Sequence, residues 1–296
     1  MNLIYDIAAR LGIGMPFDDC DTLSKVESHL PSFARFLVGP GKMCTSVIWK
    51  DPTDGLIGFG SNLDLPRGSD LAKFMYHSNF YEAGKLVYKA QHVFGVKGSQ
   101  RAFSVKGGWY IALNERDHKV KDDSTLSWLW DITIKKSLSP MLWIVDAIRK
   151  YEHLEDAMKA AATDDLSSPC YFIMGGVMKD RTTDGCVIER NFNGLNAKYC
   201  LSDSPDQWFL VQTNWDRSIP DPKDDYRRVP MENKISGMGK DAMTTDHLRM
   251  FLSEHPNFRV VLESDDDVTM TTTLGQFGYD DNEGSFFGFW WNYDQE

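Results

Sequence analysis

The chain has 296 residues, enough for one large domain or two small ones, and its 42% hydrophobic and 25% charged residues are the composition of a folded protein with an ample core. Against 32 basic residues stand 43 acidic ones, a net charge of -11, and no compact Lys/Arg patch reverses it locally, which argues against nucleic acid as a partner. No run of 18 apolar residues, the length a bilayer span needs, occurs anywhere in the sequence.

The opening residues, Met1 to Gly12, lack the basic segment and apolar stretch of a secretory signal. They read as the interior of a helix, so the expectation is a chain that begins partway into a longer product. Gly12 to Lys42 mixes Gly, Pro, Asp and Ser around a short apolar run, Phe33 to Val38, and reads as a loop-rich segment with one helical turn. The character changes at Cys44. Cys44 to Trp49 and Leu56 to Gly60 are strand-like, and the turn formers of Asp51 to Gly55 between them predict a hairpin.

Further strands are predicted at 85–96, 102–113, 171–177, 186–190 and 208–213. Late ones follow at 258–262 and 268–273, with an aromatic-rich end near 286–291. Ile144, Ile148, Tyr151, Leu154 and Met158 recur at helical spacing within 141–162, and 126–134 is a shorter helical candidate. Strands grouped at both ends with helices between them predict an α+β layered domain, not a doubly wound parallel sheet.

Five cysteines (Cys20, Cys44, Cys170, Cys186, Cys200) are too few for a disulfide scaffold, fit no zinc spacing, and leave at least one free thiol. Seven scattered histidines contain no i, i+4 pair, so neither a metal nor a cofactor is expected. Cys44 opens a strand just after a flexible segment. Cut from Met43, it would carry its own base, because a free α-amine titrates near ~7.7–8.0. Asn62 and Asp64 sit near a strand end, Asn114 and Glu115 follow an apolar strand, and Asn214 and Arg227 lie in a late polar stretch. Taken singly, each of these reads better as a turn, a loop, a surface ion pair or, for the cysteine, a small buried hydrophobe than as a catalytic group.

In order, however, Cys44-Thr-Ser46, Asn62-x-Asp64, Asn114-Glu-Arg116, Gly175-Gly176 with Arg190-Asn191, Thr213-Asn-Trp-Asp216 and Asp225-x-Arg-Arg228 form a series. This series resembles the acid ceramidase and N-acylethanolamine acid amidase family of amino-terminal nucleophile (Ntn) hydrolases, related to the bile-salt and penicillin V acylases. The likeness runs from Cys44 to about Gly275, and Asn2 to Asp6 looks like the family's helix before the nucleophile.

The resemblance implies a four-layer αββα sandwich of two antiparallel sheets flanked by helices. It implies a propeptide-like segment over 1–43 and a catalytic domain over 44–296, separated by autocleavage into an α/β heterodimer. The activity it implies is hydrolysis of an amide joining a fatty acyl chain to a small polar or lipid amine. Peripheral contact with a membrane or a lipid-presenting protein, and a lysosomal or secretory location, go with it. Carried over by position, Cys44 is the nucleophile, Asp64 orients its terminus, and Asn214 is an oxyanion donor. Glu115 faces the nucleophile, Arg227 organises the site, and Asn62 and Asn114 contact substrate.

The chain departs from that pattern in three places. Where the family carries Gly-Arg-Asn-x-Asp, this sequence has Gly60-Ser61-Asn62-Leu63-Asp64, so a supporting arginine is missing and a raised thiol pKa with weaker catalysis is expected. Arg67 lies nearby in the sequence. The stretch from Arg10 to Lys42 intervenes before the cysteine, and no Asn-x-Ser/Thr sequon occurs. Two alternatives stay open on these residues: a bile-salt or penicillin acylase-like amidase, and a catalytically impaired relative that binds lipid or a partner.

Overall fold

The computed structural model describes residues 43–66, 75–93, 98–116, 137–191, 194–223, 226–254, 256–257, 267–280, 284–287 and 291–294. The predicted helical turn at 33–38, the helix at 126–134 and the strand at 258–262 lie outside these residues, as do Cys20 and Arg67.

The first strands are β1 (Met43–Lys50) and β2 (Ile57–Pro66), joined by the predicted turn. Then come β3 (Met75–Glu82), β4 (Lys85–Val93), β5 (Arg101–Ser104) and β6 (Trp109–Glu115). Helices α1 (Pro140–Lys150) and α2 (Leu154–Thr163) lead into β7 (Cys170–Val177), β8 (Thr183–Asn191) and β9 (Gly194–Cys200). The chain continues through β10 (Phe209–Gln212), α3 (Arg228–Met238), α4 (Thr245–Leu252), β11 (Asp267–Asp280), β12 (Gly284–Phe287) and β13 (Trp291–Asp294).

The strands form two sheets. One runs β10-β1-β2-β11-β12, with β13 also paired to β11; the other runs in unbroken order from β3 to β9. Every strand pairing in both is antiparallel.

Alternation along β1 stacks the layers. Ile48 points inward, into an inter-sheet core with Ile57, Phe59, Phe103, Tyr110, Tyr171 and Ile173. Its neighbours Val47 and Trp49 point the other way and pack on Met231, Ile235, Leu248 and Leu252 of α3 and α4. On the far side of the second sheet, Trp109, Ile111, Phe172 and Met174 meet Trp143, Ile144, Ile148 and Leu154 of α1 and α2. Three apolar seams between four layers give a helix–sheet–sheet–helix sandwich, the expected α+β class.

The sheets approach closely where Gly175 of β7 pairs with Gly185 of β8. A Cβ there would come within 2.2 Å and 2.4 Å of Ile48 Cδ1, so the isoleucine fills the space that two side chains leave.

Local chemistry explains where the elements differ from expectation. The strand predicted over 102–113 is two strands, because Lys106-Gly107-Gly108 makes a turn in which Gly108 takes a φ of 64°. The helical run at 141–162 breaks after Lys150, where Tyr151 is extended and the Glu152 carbonyl accepts from Trp109 Nε1 at 3.1 Å. Strand β3 escapes a pattern search because, as a sheet edge, it buries little and alternates weakly. Cys186 and Cys200, directly opposed on β8 and β9, form a disulfide, leaving Cys44 and Cys170 free among the described residues.

Candidate active site

Cys44 and Asp64 enter the site from adjacent strands, with Cys44 opposite Leu63 and Met43 opposite Asp64 in the β1–β2 ladder. Strand β2 runs on to Pro66, so Asn62 and Asp64 are held inside a sheet and not in a turn. Next to them β11 carries a register shift between Thr269 and Thr271, opposite Asp64 and Leu63. Such a bulge re-aims side chains locally.

One amide and one guanidinium join the parts. Asn214 lies two residues past β10, and its Oδ1 accepts from the Cys44 backbone N at 2.8 Å. The same oxygen accepts from Arg227 Nη2 at 2.7 Å, while Asn214 Nδ2 donates to the Glu115 carbonyl at 2.7 Å. Arg227, which immediately precedes α3 as its N-cap, also donates through Nη1 to Asp64 Oδ2 at 3.2 Å and to Thr45 Oγ1 at 3.3 Å. Both members of the Arg227–Asp64 ion pair are fully buried.

Five of the predicted residues (Cys44, Asp64, Glu115, Asn214 and Arg227) therefore converge, although they are spread along the chain from position 44 to position 227. The Glu115 carboxylate adds to the electrostatic environment of the thiol, and its main chain holds Asn214.

Asn62 and Asn114 are buried in the walls. Asn62 Nδ2 donates to the carbonyls of Leu252 and Asn257 at 2.8 and 2.7 Å, tying β2 to the α4 end. Asn114 accepts from Ser46 Oγ at 2.7 Å and donates to the Gln212 and Thr213 carbonyls at 2.9 and 3.2 Å.

A second buried cluster, beside Asn214, was not singled out from the sequence. Arg116 grips Asp216 through Nε and Nη2, each at 2.6 Å, and Tyr171 OH donates to Asp216 Oδ1 at 2.7 Å. Arg116 and Asp216 fall inside the ordered motifs, but their pairing across a hundred residues leaves no sequence signal.

Burial dominates the electrostatics of the Cys44 thiol. Burial pushes the Cys44 thiol up to about 12, with Asp64 and Glu115 adding to the rise and the guanidiniums of Arg101 and Arg227 opposing it. A thiol so held is a poor nucleophile without a base beside it. Ser61, at the missing-arginine position, is not empty of positive charge: Arg101 Nη2 reaches its Oγ at 2.9 Å from the opposite sheet.

Two face-to-face antiparallel sheets with helices on both outer faces make the four-layer αββα sandwich of the Ntn-hydrolase fold. A solved structure of the Caenorhabditis elegans N-acylethanolamine-hydrolyzing acid amidase ortholog shares the fold, with a TM-score of 0.64 at 24% identity over 78% of this chain and 92% of that one. No family model matches the chain.

The rabbit (Oryctolagus cuniculus) N-acylethanolamine-hydrolyzing acid amidase is 29% identical over 222 residues, covering 72% of this chain and 57% of the relative. Its Caenorhabditis elegans counterpart is 27% identical over 240 residues, 81% of this chain and 58% of the relative. The acid ceramidase of Heterocephalus glaber is 28% identical over 227 residues, 72% and 56% respectively. The alignments thus span little more than half the length of these relatives. By sequence and fold together, the chain is similar to members of the acid ceramidase and N-acylethanolamine acid amidase family.

Proposed function

We propose that the protein is an amidohydrolase of N-acyl lipid amides, working through Cys44 once cleavage after Met43 has made that residue an amino terminus. The observation that carries this reading is the grip of Asn214 Oδ1 on the Cys44 nitrogen at 2.8 Å, with Arg227 bridging Asn214 to Asp64. A network that spends two buried ionic groups and an amide on locating one backbone nitrogen suits a reaction in which that nitrogen acts.

In this reading the first turnover is on the chain itself. The Cys44 sulfur attacks the Met43 carbonyl carbon, the peptide C–N bond breaks, and the nitrogen takes a proton to become the α-amine. Water then hydrolyses the Met43 thioester, leaving a new carboxylate and a free thiol. Residues 1–43 and 44–296 become the two subunits.

Thereafter the α-amine, titrating near ~7.7–8.0 in its unperturbed form, removes the thiol proton that burial otherwise retains. The sulfur adds to the substrate amide carbon. Asn214 Nδ2 faces the resulting oxyanion, and since an amide nitrogen carries two hydrogens, this is compatible with its bond to Glu115. The ammonium returns its proton to the leaving amine, and water cleaves the acyl thioester. Asn62 and Asn114 hold the walls within reach of bound substrate. The acyl amide class, the lipid-presenting surface and the lysosomal setting rest on the family.

The deciding comparison is intact mass of the wild type and Cys44→Ala after incubation at acid pH, followed by fatty-acid release from an N-acylethanolamine and a ceramide. The wild type is expected to yield a fragment beginning at Cys44 and to release acid; the variant does neither. Two full-length chains overturn self-processing. A processed chain that binds the lipids but releases no acid would mark the impaired relative.

A further inference from the structure

The layer between the sheets is apolar, yet Arg101 lies fully inside it. The alternation of β5 sends Ala102 toward the helices and Phe103 toward the opposite sheet, so Arg101 shares the inter-sheet face with Phe103. Its hydrogen-bond partners are neutral: Nη1 donates to Gln91 Oε1 and Nη2 to Ser61 Oγ, each at 2.9 Å. A guanidinium does not discard its proton, so the charge stays. Burying it without a carboxylate partner among the described residues is costly, and it sets up a local positive field.

The field has a user close by. Ser61 pairs across the ladder with Ser46, their hydroxyls 2.8 Å apart, and Cys44 lies two residues before Ser46 on the same face of β1. Ser46 in turn donates to Asn114, which fixes the main chain at Gln212 and Thr213 just before Asn214. The charged and titratable groups around the thiol are Arg101 on β5, Asp64 on β2, Glu115 on β6 and Arg227 at the start of α3, with Tyr110 of β6 beside Arg101 and Ser61. Arg227 is ion-paired with Asp64, whereas Arg101 spends its bonds on neutral groups.

We infer that Arg101 is a positioning residue for the nucleophile: a permanent cation delivered from the second sheet, aimed by the Ser61 hydroxyl, that favours the Cys44 thiolate. The inference rests on the reading of Cys44 as nucleophile. It locates on β5 the support that position 61 of β2 does not supply.

The test is the pH dependence of iodoacetamide alkylation at Cys44 in the full chain, localised by peptide mass. The reagent's carbon takes the sulfur, iodide leaves and the thiol proton goes to solvent, so the rate follows the thiolate fraction without any amide substrate. Arg101→Met is expected to move the profile to higher pH and slow alkylation at fixed pH by about tenfold. Arg101→Lys, which keeps the charge, stays within about threefold of wild type.

Superimposable profiles for Arg101→Met and wild type overturn the inference. If Arg101→Met does not fold, Ser61→Arg in that background decides: a restored fold and profile support the inference, and failure to restore either overturns it. Normal shifts together with a wild type that hydrolyses no acyl amide would sink the proposed function while leaving this inference standing.

Discussion

At the scale of single residues, the site concentrates on Asn214, whose amide joins Cys44, Arg227 and Glu115 through three bonds of 2.7 to 2.8 Å. In the proposed mechanism Asn214→Ala removes an oxyanion donor together with the anchor of the Cys44 nitrogen. Turnover of an acyl amide is expected to fall by about 10²–10³, with self-cleavage slowed alongside; steady-state kinetics on separately processed protein isolate the first effect. A rate equal to wild type removes Asn214 from the chemistry. These residues were legible in the sequence because chemistry-bearing types recur in order along the chain: a cysteine opening a strand, Asn62-x-Asp64, Asn214 past a strand, Arg227 in a late polar stretch. Arg101 was not. It sits in an unremarkable strand, and only the stacking of two sheets, which periodicity cannot convey, brings it to Ser61.

At the scale of elements, legibility followed burial. Strands β1, β4, β7 and β8 and the α1–α2 pair carry clear apolar patterns because each has a face against a core. Helix α3 was missed: Pro230 and Gly237 lie within it, and it buries little beyond Arg228, Met231 and Ile235. The facing of the two sheets yields a prediction of its own. Gly175→Ala would set a Cβ 2.2 Å from Ile48 Cδ1, with Ile57 Cγ2 at 3.1 Å and the Asp184 carbonyl at 3.2 Å behind it. Overpacking of this kind costs roughly 1–3 kcal/mol, read as a lower denaturant midpoint. Ile48→Val removes the obstructing methyl, so the double variant is expected to be more stable than Gly175→Ala alone. Strict additivity of the two losses would place the strain elsewhere.

At the scale of the whole molecule, the question is what keeps the sandwich intact at acid pH. Asp216 answers in part. Burial works against its charge, but hydrogen bonds from Arg116 and Tyr171 outweigh that and hold its carboxyl below the ordinary 3.8. For a lowered carboxyl the contribution to stability is complete above the unfolded value and is lost as pH falls through the folded one. Asp216→Asn is therefore expected to lower Tm by a constant amount from pH about 7 to about 5, and the gap to wild type closes only below about 4. A gap that closes already at pH about 5 to 6 contradicts this.

The ladder around Asp64 carries a last consequence. Strand β2 is flanked by β1 on one side and by β11 on the other, where Thr269, Val268 and Asp267 face Asp64, Leu65 and Pro66. Severing the backbone ahead of Cys44 removes a rung from one flank at the lip of the sheet and leaves the second flank untouched. Under the proposed cleavage, maturation in such a frame would be a trimming and not a refolding: the wall that bears the carboxylate is already mortared from behind before any cut.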